Sequence, residues 1–511
     1  MKAKYLIISL LFITSNTYAQ EPADALRYSF LTQQGGTARN QAIGGAGASL
    51  GGEFSSLFIN PAGLGFYKTG DFTFTPGYAL KTNNSNYLNA GNKATENNFN
   101  LGATGLVFAS PSERKKGNSF AIGIGVSRLA DFSNHTYYSG INTKSSYSEK
   151  YLEELTKNNE TDPNHAATSY PYGSSLALNT YLIDPTYNAD SSAVTGYRSN
   201  ANPAFGLTQE NTINTSGGIT ELAIGAASNS KDKFYFGGSL SFPILNYTRD
   251  GSYKESDASN NTQNNFNYFE ANESLNTKGI GVNAKLGIIY KPREDVRLGL
   301  TVHTPTFYQL TDHYSTEVVT DLEGYGGSGI KRQSSTDLTD GQPLISKYNL
   351  NTPWRAIVSG SYVFSEVADV HQQRGFVTAD IEYVNYKAAS FHAVDNDQQS
   401  KDYYSQLNTT IDNLYKNAIN VRLGGEVKFN TYMFRLGGAY YGNPYQNDKK
   451  DLVKVSGGVG YRDKGIYIDL TYVYSMNKDV NYPYLLEDKG NVPAYLKNNA
   501  GNIVATIGFK L

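Results

Sequence analysis

"GIGVNAKLGIIYKPREDVRLGLTVH" (residues 279–303) holds two runs of alternating character joined by a charged turn, Lys291-Pro292-Arg293-Glu294-Asp295. Before the turn, Ile280, Val282, Ala284, Leu286, Ile288 and Tyr290 fall on one face and Gly281, Asn283, Lys285 and Gly287 on the other. After it, Val296, Leu298, Leu300 and Val302 oppose Arg297, Gly299, Thr301 and His303. Successive side chains of a strand point to opposite faces, so the segment predicts an antiparallel hairpin with one apolar face. The other face mixes glycine, amide and cationic residues, as the wall of a watery lumen does.

The same period of two recurs to the last residue. Phe120, Ile122, Ile124 and Val126 form one such face, and Phe234, Phe236, Leu240 and Phe242 another. Ile419, Val421, Leu423, Val427 and Phe429 oppose Asn420, Arg422, Gly424, Glu426 and Lys428. The runs are roughly as long as a tilted membrane strand, about ten residues. Strands are predicted near 70–79, 98–109, 118–129, 219–228, 233–244, 277–290, 295–303, 354–364, 375–386, 417–429, 431–441, 451–461, 465–474 and 502–511. That is about fourteen, an even number, as bacterial barrels have. Aromatics at strand ends (Trp354, Tyr362, Phe364, Tyr472, Tyr474) suit interfacial girdles. Connections alternate between short and charged ("NSKD", "KPRED", "RDKG") and long, notably around 130–218 and 304–353. Short turns on one rim and long loops on the other characterise outer-membrane barrels. The final segment "GNIVATIGFKL" places Ile503, Ala505, Ile507, Phe509 and Leu511 on one face, as a closing strand would. The predicted class is all-β, a transmembrane antiparallel barrel.

Composition agrees. The chain has 511 residues with 50 Gly, 41 Tyr and 24 Phe, and a mean hydropathy of −0.45. Length alone suggests about three domains, yet no later run approaches the ~20 apolar residues of a membrane helix. There is no cysteine, which excludes disulfides, thiolate metal sites and cysteine nucleophiles. A net charge of −2 gives no long-range attraction to nucleic acid. Lys2 and Lys4, the apolar stretch Tyr5 to Ile13 and the small-residue site Thr17-Tyr18-Ala19 read as a cleavable signal peptide over residues 1–19.

A barrel this wide cannot be filled by its own wall and is either a channel or plugged. Residues 20–69 precede the first strand and lack both strand alternation and a helical stripe. They contain "GGTARNQAIGGAGASLGGEFSSLFINPAGLGFYKTG" (35–70), with Phe54, Leu57, Phe58, Ile59, Leu64 and Phe66 too apolar for a disordered tail. Irregular backbone is tolerated inside a tube, shielded from lipid. The segment is therefore read as an N-terminal hatch. Asn60-Pro61 is its rigid turn and the glycines 44–52 its compliant part.

This segment resembles the hatch of the FadL/TodX family of outer-membrane transporters. There, an Asn-Pro-Ala signature follows a Gly/Ala-rich stretch; here the match is Asn60, Pro61 and Ala62, followed by Gly63. "LGLTVHTPTFYQL" (298–310) and "NVRLGGEVKFNTYMFRLGGAYYGNPY" (420–445) extend the likeness into the wall. The resemblance implies uptake of hydrophobic small molecules, long-chain fatty acids above all. Capture by outer loops, binding in the lumen and sideways release through the wall would follow. Lumen-side Lys285, Arg297, Arg355, Arg422 and Glu426 are the candidate ligand-binding residues, since a cation there would pair a carboxylate.

Competing signals are poor. No H-E-x-x-H or G-x-S-x-G occurs, and "GGAGASLG" lacks the Lys-Ser/Thr of a phosphate loop. The histidines at 135, 165, 303, 313, 371 and 392 have no metal-ligand spacing. A non-enzymatic chain without cofactor or metal is expected. It would be a monomer in outer-membrane lipid, placed there by the barrel-assembly machinery. Two alternatives stand beside transport: a related barrel carrying secreted proteins at the surface, and a haem receptor using His303 and His313.

Overall fold

The structure, a computed structural model, describes residues 20–29, 35–112, 117–259, 261–327, 329–364, 374–447 and 452–511. The signal peptide, most of "SERKKG" and His371 lie outside them.

Fourteen antiparallel strands form one closed wall. They are β1 (Asp71–Phe74 and Pro76–Tyr87), β2 (Ala90–Leu101 and Thr104–Pro111), β3 (Ser119–Asp131 and Asn134–Asn142), β4 (Leu207–Ser230), β5 (Phe234–Asp257), β6 (Tyr268–Arg293) and β7 (Val296–His303 and Phe307–Asp321). Then follow β8 (Leu344–Asn351 and Arg355–Phe364), β9 (Gly375–Val384 and Ser390–Ala393), β10 (Ala418–Phe429), β11 (Tyr432–Tyr441), β12 (Leu452–Asp463), β13 (Ile466–Asn481) and β14 (Ala494–Lys510). Each pairs with its neighbours in sequence, and β14 closes the ring on β1 with Asp71 opposite Lys510 and Gly77 opposite Val504.

The period of two sorts side chains as expected. Ile280, Val282 and Leu286 are exposed on the outside, Leu286 to 67%, whereas Asn283 and Lys285 are buried within. The short turns need left-handed backbone at Lys231, Asp232, Asn430 and Lys464, where tight two-residue hairpins require positive φ. Among the described residues, no helix is long and apolar enough to cross a membrane. The apolar band is the lipid-facing surface.

The strands run well past that band. β5 is apolar outside from Phe234 to Ile244 and polar from Asn246 onward. Its 24 residues span ~80 Å at ~3.3 Å each, against an apolar band of ~25 Å. Much of what the sequence reads as long loops is therefore wall: 207–218, 307–321 and 344–351 continue strands as a tower beyond the membrane. Polar outer faces there hide the hydrophobic alternation that reveals strands inside the lipid. The longest insertion, 143–206, folds on the tower as α-helices Glu149–Lys157, Pro163–Ser169 and Ser174–Asn179 with a small hairpin. It packs Tyr147, Tyr151 and Leu155 on Tyr253, Phe269 and Tyr484.

The N-terminal residues are built from pieces too short for a helical stripe: α1 (Pro22–Arg27), α2 (Ala38–Ala42), α3 (Ser56–Ile59) and a 3-10 turn over Pro61–Phe66. They lie against inward-facing wall residues. The connection before β10 carries a further helix, Gln398–Leu414 (here the loop helix), whose buried Tyr404, Leu407 and Ile411 reach the same interior.

Candidate functional site

The Asn-Pro-Ala motif is seated on wall glycines. The Asn60 side chain accepts from Ala62 N at 3.2 Å and donates to Ala48 O at 2.7 Å, capping the turn that Pro61 begins. A Cβ on Gly287 would lie 1.8 Å from Asn60 Oδ1, and one on Gly237 2.4 Å from the Pro61 carbonyl carbon. Only glycine permits that approach. Gly63 faces the Ser56 side chain just as closely, and residues 61–65 are buried. Phe66 stacks on Tyr235 at 3.8 Å.

α2 is held on the opposite wall by side chains that reach its backbone. Thr471 Oγ1 donates to Ala38 O at 2.7 Å and Ser456 Oγ to Ala42 O at 3.0 Å. Arg39 pairs with Glu426 at 3.3 Å, Glu426 with Arg435 at 2.6 Å, and Arg435 with Asp469 at 2.5 Å. The 44–52 glycines, expected to be slack, are closely packed. Gly44 has φ +68° and no room for a Cβ against the Gly438 backbone, and Gly51, at φ +67°, none against Phe66. Gly44 uses its missing side chain for contact with the wall, whereas Gly47 and Gly51 use theirs for packing within the N-terminal segment, on Asn40 and Phe66.

Every candidate ligand-binding residue has a partner. Lys285 Nζ lies 2.7 Å from Glu221 and donates to Ser241 Oγ at 2.9 Å. Arg355 pairs with Glu382 at 3.3 Å and donates to Ser29 O at 3.1 Å. Arg422 is fully buried and pairs with the same Glu382. Arg297 donates to Leu50 O and covers the Phe66 ring at 4.8 Å. Lys285 and Arg355 share one internal cavity with Glu221, Glu382, His303, Tyr28 and Tyr308. Arg297 and Glu426 instead hold the N-terminal segment, so the five do not form one site. His303 Nε2 is 2.7 Å from Ile59 O, while His313 faces outward from the tower; the structure does not bring the two together. Prolines explain the cavity wall: β7 is interrupted at Thr304-Pro305-Thr306 and β8 at Thr352-Pro353-Trp354, side by side, where a missing N–H breaks the ladder.

Above this polar layer lies an apolar chamber. Its walls include Tyr247, Tyr308, Leu310, Tyr348 and Phe391, and it is occupied by Ala25, Leu26 and Tyr28 from α1 and by the loop helix. Arg27 pairs with Asp24 and lies 4.7 Å over Tyr247.

The wall beside the chamber has a seam. The lower halves of β2 and β3 are joined by a ladder from Thr104–Val126 to Pro111–Ser119. Their upper halves, Ala90–Leu101 and Asn134–Asn142, share no ladder among the described residues. Side chains close the space instead. From β2, Asn98 Nδ2 lies 3.0 Å from Asp131 and Asn92 Oδ1 accepts from Ser139 N at 2.8 Å. From β1, Lys81 Nζ reaches past β2 to within 2.7 Å of Asp131, Asn83 Nδ2 to 2.8 Å from Asn134 Oδ1, and Ser85 Oγ to 2.7 Å from Tyr137 O. At the base of this gap β3 has a bulge at Arg128–Ala130, opposite Ile219-Thr220 of β4 and next to Gly217-Gly218. Gly217 has φ +93°, and a Cβ on Gly218 would meet Ala130 O at 2.2 Å. At the foot of the seam, Gly36 O takes the Ala103 amide at 3.2 Å and Gly36 N donates to Ser127 Oγ at 3.3 Å. The N-terminal segment thus supplies the partner that the wall lacks. Sequence reading missed these residues; the Gly217-Gly218 pair inside a strand was the available sign of a bulge.

No known protein family matches the chain, and no curated protein matches it in sequence. Among solved structures, a Pseudomonas aeruginosa FadL homologue superposes with a TM-score of 0.54 at 14% identity, covering 93% of this chain and 98% of that one. The P. putida toluene transporter TodX does so with a TM-score of 0.51 at 14% identity, covering 94% and 99%. The chain has the fold of these FadL/TodX-type barrels.

Proposed function

We propose that this barrel admits hydrophobic small molecules through the outer membrane and releases them sideways into the bilayer. The seam between β2 and β3 carries the proposal. It is the one place among the described residues where neighbouring strands are held by side chains rather than a ladder, and Leu129, Ala130 and Phe132 at its foot pack against the apolar cluster of the interior. A ligand leaving there passes from chamber to lipid without entering water. Each buried CH₂ holds it by ~0.8 kcal/mol, so release into water would be slow. The FadL and TodX likenesses support the reading at the level of fold, and residues 20–69 then serve as the hatch.

Long-chain fatty acids are the first ligand class we propose. The cavity's cations are already matched by Glu221 and Glu382, so a carboxylate entering as an anion must displace one of these acids or bind protonated. Neutral aromatic or long-chain compounds meet no such cost, and the tyrosine-rich chamber suits them.

The absence of cysteine makes the test clean. Asn92→Cys on β2 with Ser139→Cys on β3 places two thiols across the seam, where the Asn92 side chain accepts from Ser139 N at 2.8 Å. Oxidation should abolish uptake of a radiolabelled fatty acid or of toluene, and reductant should restore it, with the barrel folded throughout. Undiminished uptake by the oxidised pair would exclude the seam as the exit.

A further inference from the structure

Gln20 is held more closely than a chain end needs. It is 2% exposed. Its Nε2 donates to Asp312 Oδ2 at 2.6 Å, its Oε1 accepts from Tyr404 OH at 3.2 Å, and its backbone carbonyl accepts from Tyr403 OH at 2.7 Å. Two residues on, Tyr415 OH donates to Pro22 O at 2.8 Å. Wall and loop helix therefore grip this residue together, and the residue follows the expected cleavage site Thr17-Tyr18-Ala19 directly.

The charges around it do not balance. Among the described residues, Glu21, Asp24, Glu273 and Asp312 face only two cations, Arg27, which pairs with Asp24, and Arg249, which pairs with Glu273 at 3.7 Å. Asp312 is 1% exposed and takes Tyr348 OH at 3.2 Å on its second oxygen, yet has no salt-bridge partner among the described residues. A buried carboxylate without a cation is costly. Nearby, the buried hydroxyls of Tyr28 and Thr277 face each other without either making a hydrogen bond of normal geometry. The pocket is short of one positive, multiply donating group.

We propose that this pocket is a receptor for the chain's own free α-amino group. The export peptidase adds water across the Ala19–Gln20 amide, leaving a carboxylate on Ala19 and an amine on Gln20. That amine takes a proton at neutral pH. The ammonium supplies the cation that Asp312 lacks and fastens α1 in the chamber. Leader removal would then complete the plug as well as free the protein. The inference rests on the leader reading of residues 1–19 and is independent of what the barrel carries.

Amine-specific acetylation of the purified, folded barrel, followed by mass spectrometry of its N-terminal and lysine peptides, tests this. The N-terminal peptide is expected to begin at Gln20 with a free amine. That amine should react at least tenfold more slowly than exposed Lys93 in the folded barrel, and equally fast once unfolded. Asp312→Asn should remove the protection and leave Lys93 unchanged; if it does not fold, Tyr404→Phe, which loses one hydrogen bond, should weaken protection in the same direction. An N-terminus elsewhere, a Gln20 closed to its lactam with loss of ammonia, or labelling as fast as Lys93 would each overturn the proposal. So would protection that survives both substitutions.

Discussion

Gly287→Ala is the sharpest perturbation of the plug. The added methyl would lie 1.8 Å from Asn60 Oδ1 and 2.8 Å from its Cγ, so Asn60 must move by more than an ångström. That movement breaks its bonds to Ala62 N and Ala48 O. Two hydrogen bonds at ~1 kcal/mol each, plus ~1–3 kcal/mol of overpacking, give about 3–5 kcal/mol against the docked plug. At ~1.4 kcal/mol per decade, the undocked population rises roughly a hundred- to a few thousandfold. The wall itself is untouched. Gly238→Ala is the control one strand over: its methyl would come within 3.2 Å of only the end of the lipid-facing Leu286 side chain. Planar-bilayer recordings should show Gly287→Ala passing small ions in bursts, and Gly238→Ala as closed as the parent. Both should keep heat-modifiable migration in gels. Equal closure of the two, with both folded, would mean that Asn60 is no post for the plug.

Leu286→Arg, at the most exposed position of its strand's apolar face, should cost about 2–4 kcal/mol in urea titrations of vesicle-inserted protein, while Asn246→Arg, above the band, should cost under about 1 kcal/mol; equal costs would refute the placement of the band. Glu255, buried in the outer tower, takes hydrogen bonds from Tyr147 N, Gln209 Nε2 and Tyr253 OH, each at 2.8 Å, but burial pushes its carboxyl up to about 7 from 4.5. The folded state then binds more protons than the unfolded one between those values, so the tower should loosen as pH rises from about 4.5 to 7 and change little outside that window. Hydrogen exchange at residues 146–155 should report the loosening, and Glu255→Gln should abolish it; an unchanged pH response in that variant would sink the assignment. An epitope inserted after Asp190 should bind antibody on intact cells, and one in the Lys464-Gly465 turn only after permeabilisation; the opposite result would invert the orientation.

How much of this was legible in the sequence follows the lipid boundary. Inside the bilayer the two faces of a strand meet opposite solvents, so Ile280 to Tyr290 declares itself. Beyond the bilayer both faces of 245–257 or 307–321 meet water or other polar residues, and alternation fades although the ladder continues. That the N-terminal segment turns at Asn60-Pro61 was readable, whereas the tight packing of Gly44 and Gly51 was not: glycine permits both slack and close contact, and only a neighbour decides which. The candidate cations were rightly placed on the lumen face, yet their use was hidden, because Glu382 and Glu221 come from other strands. The seam left a single trace, Gly217-Gly218, and its lock of Lys81, Asn83, Asp131 and Asn134 looks in sequence like ordinary polar edge residues.

The contact between Gly44 and Gly438 constrains the order in which the molecule can be assembled. Gly44 is among the first residues synthesised and Gly437-Gly438 among the last; a Cβ on Gly44 would strike Gly438 O at 2.6 Å and one on Gly437 would strike Gly44 N at 2.2 Å. The 3-10 turn meanwhile lies against β4, β5 and β6, from the first half of the wall. A finished cylinder offers no route for threading such a plug into place, since both of its seats are recesses in the inner surface. The β1–β14 ladder therefore has to zip last, around a plug already captured. Contacts this distant in sequence form slowly, and a ring that closes early is a dead end. Folding that keeps the two terminal strands apart until the early segment has found its late partner avoids that dead end.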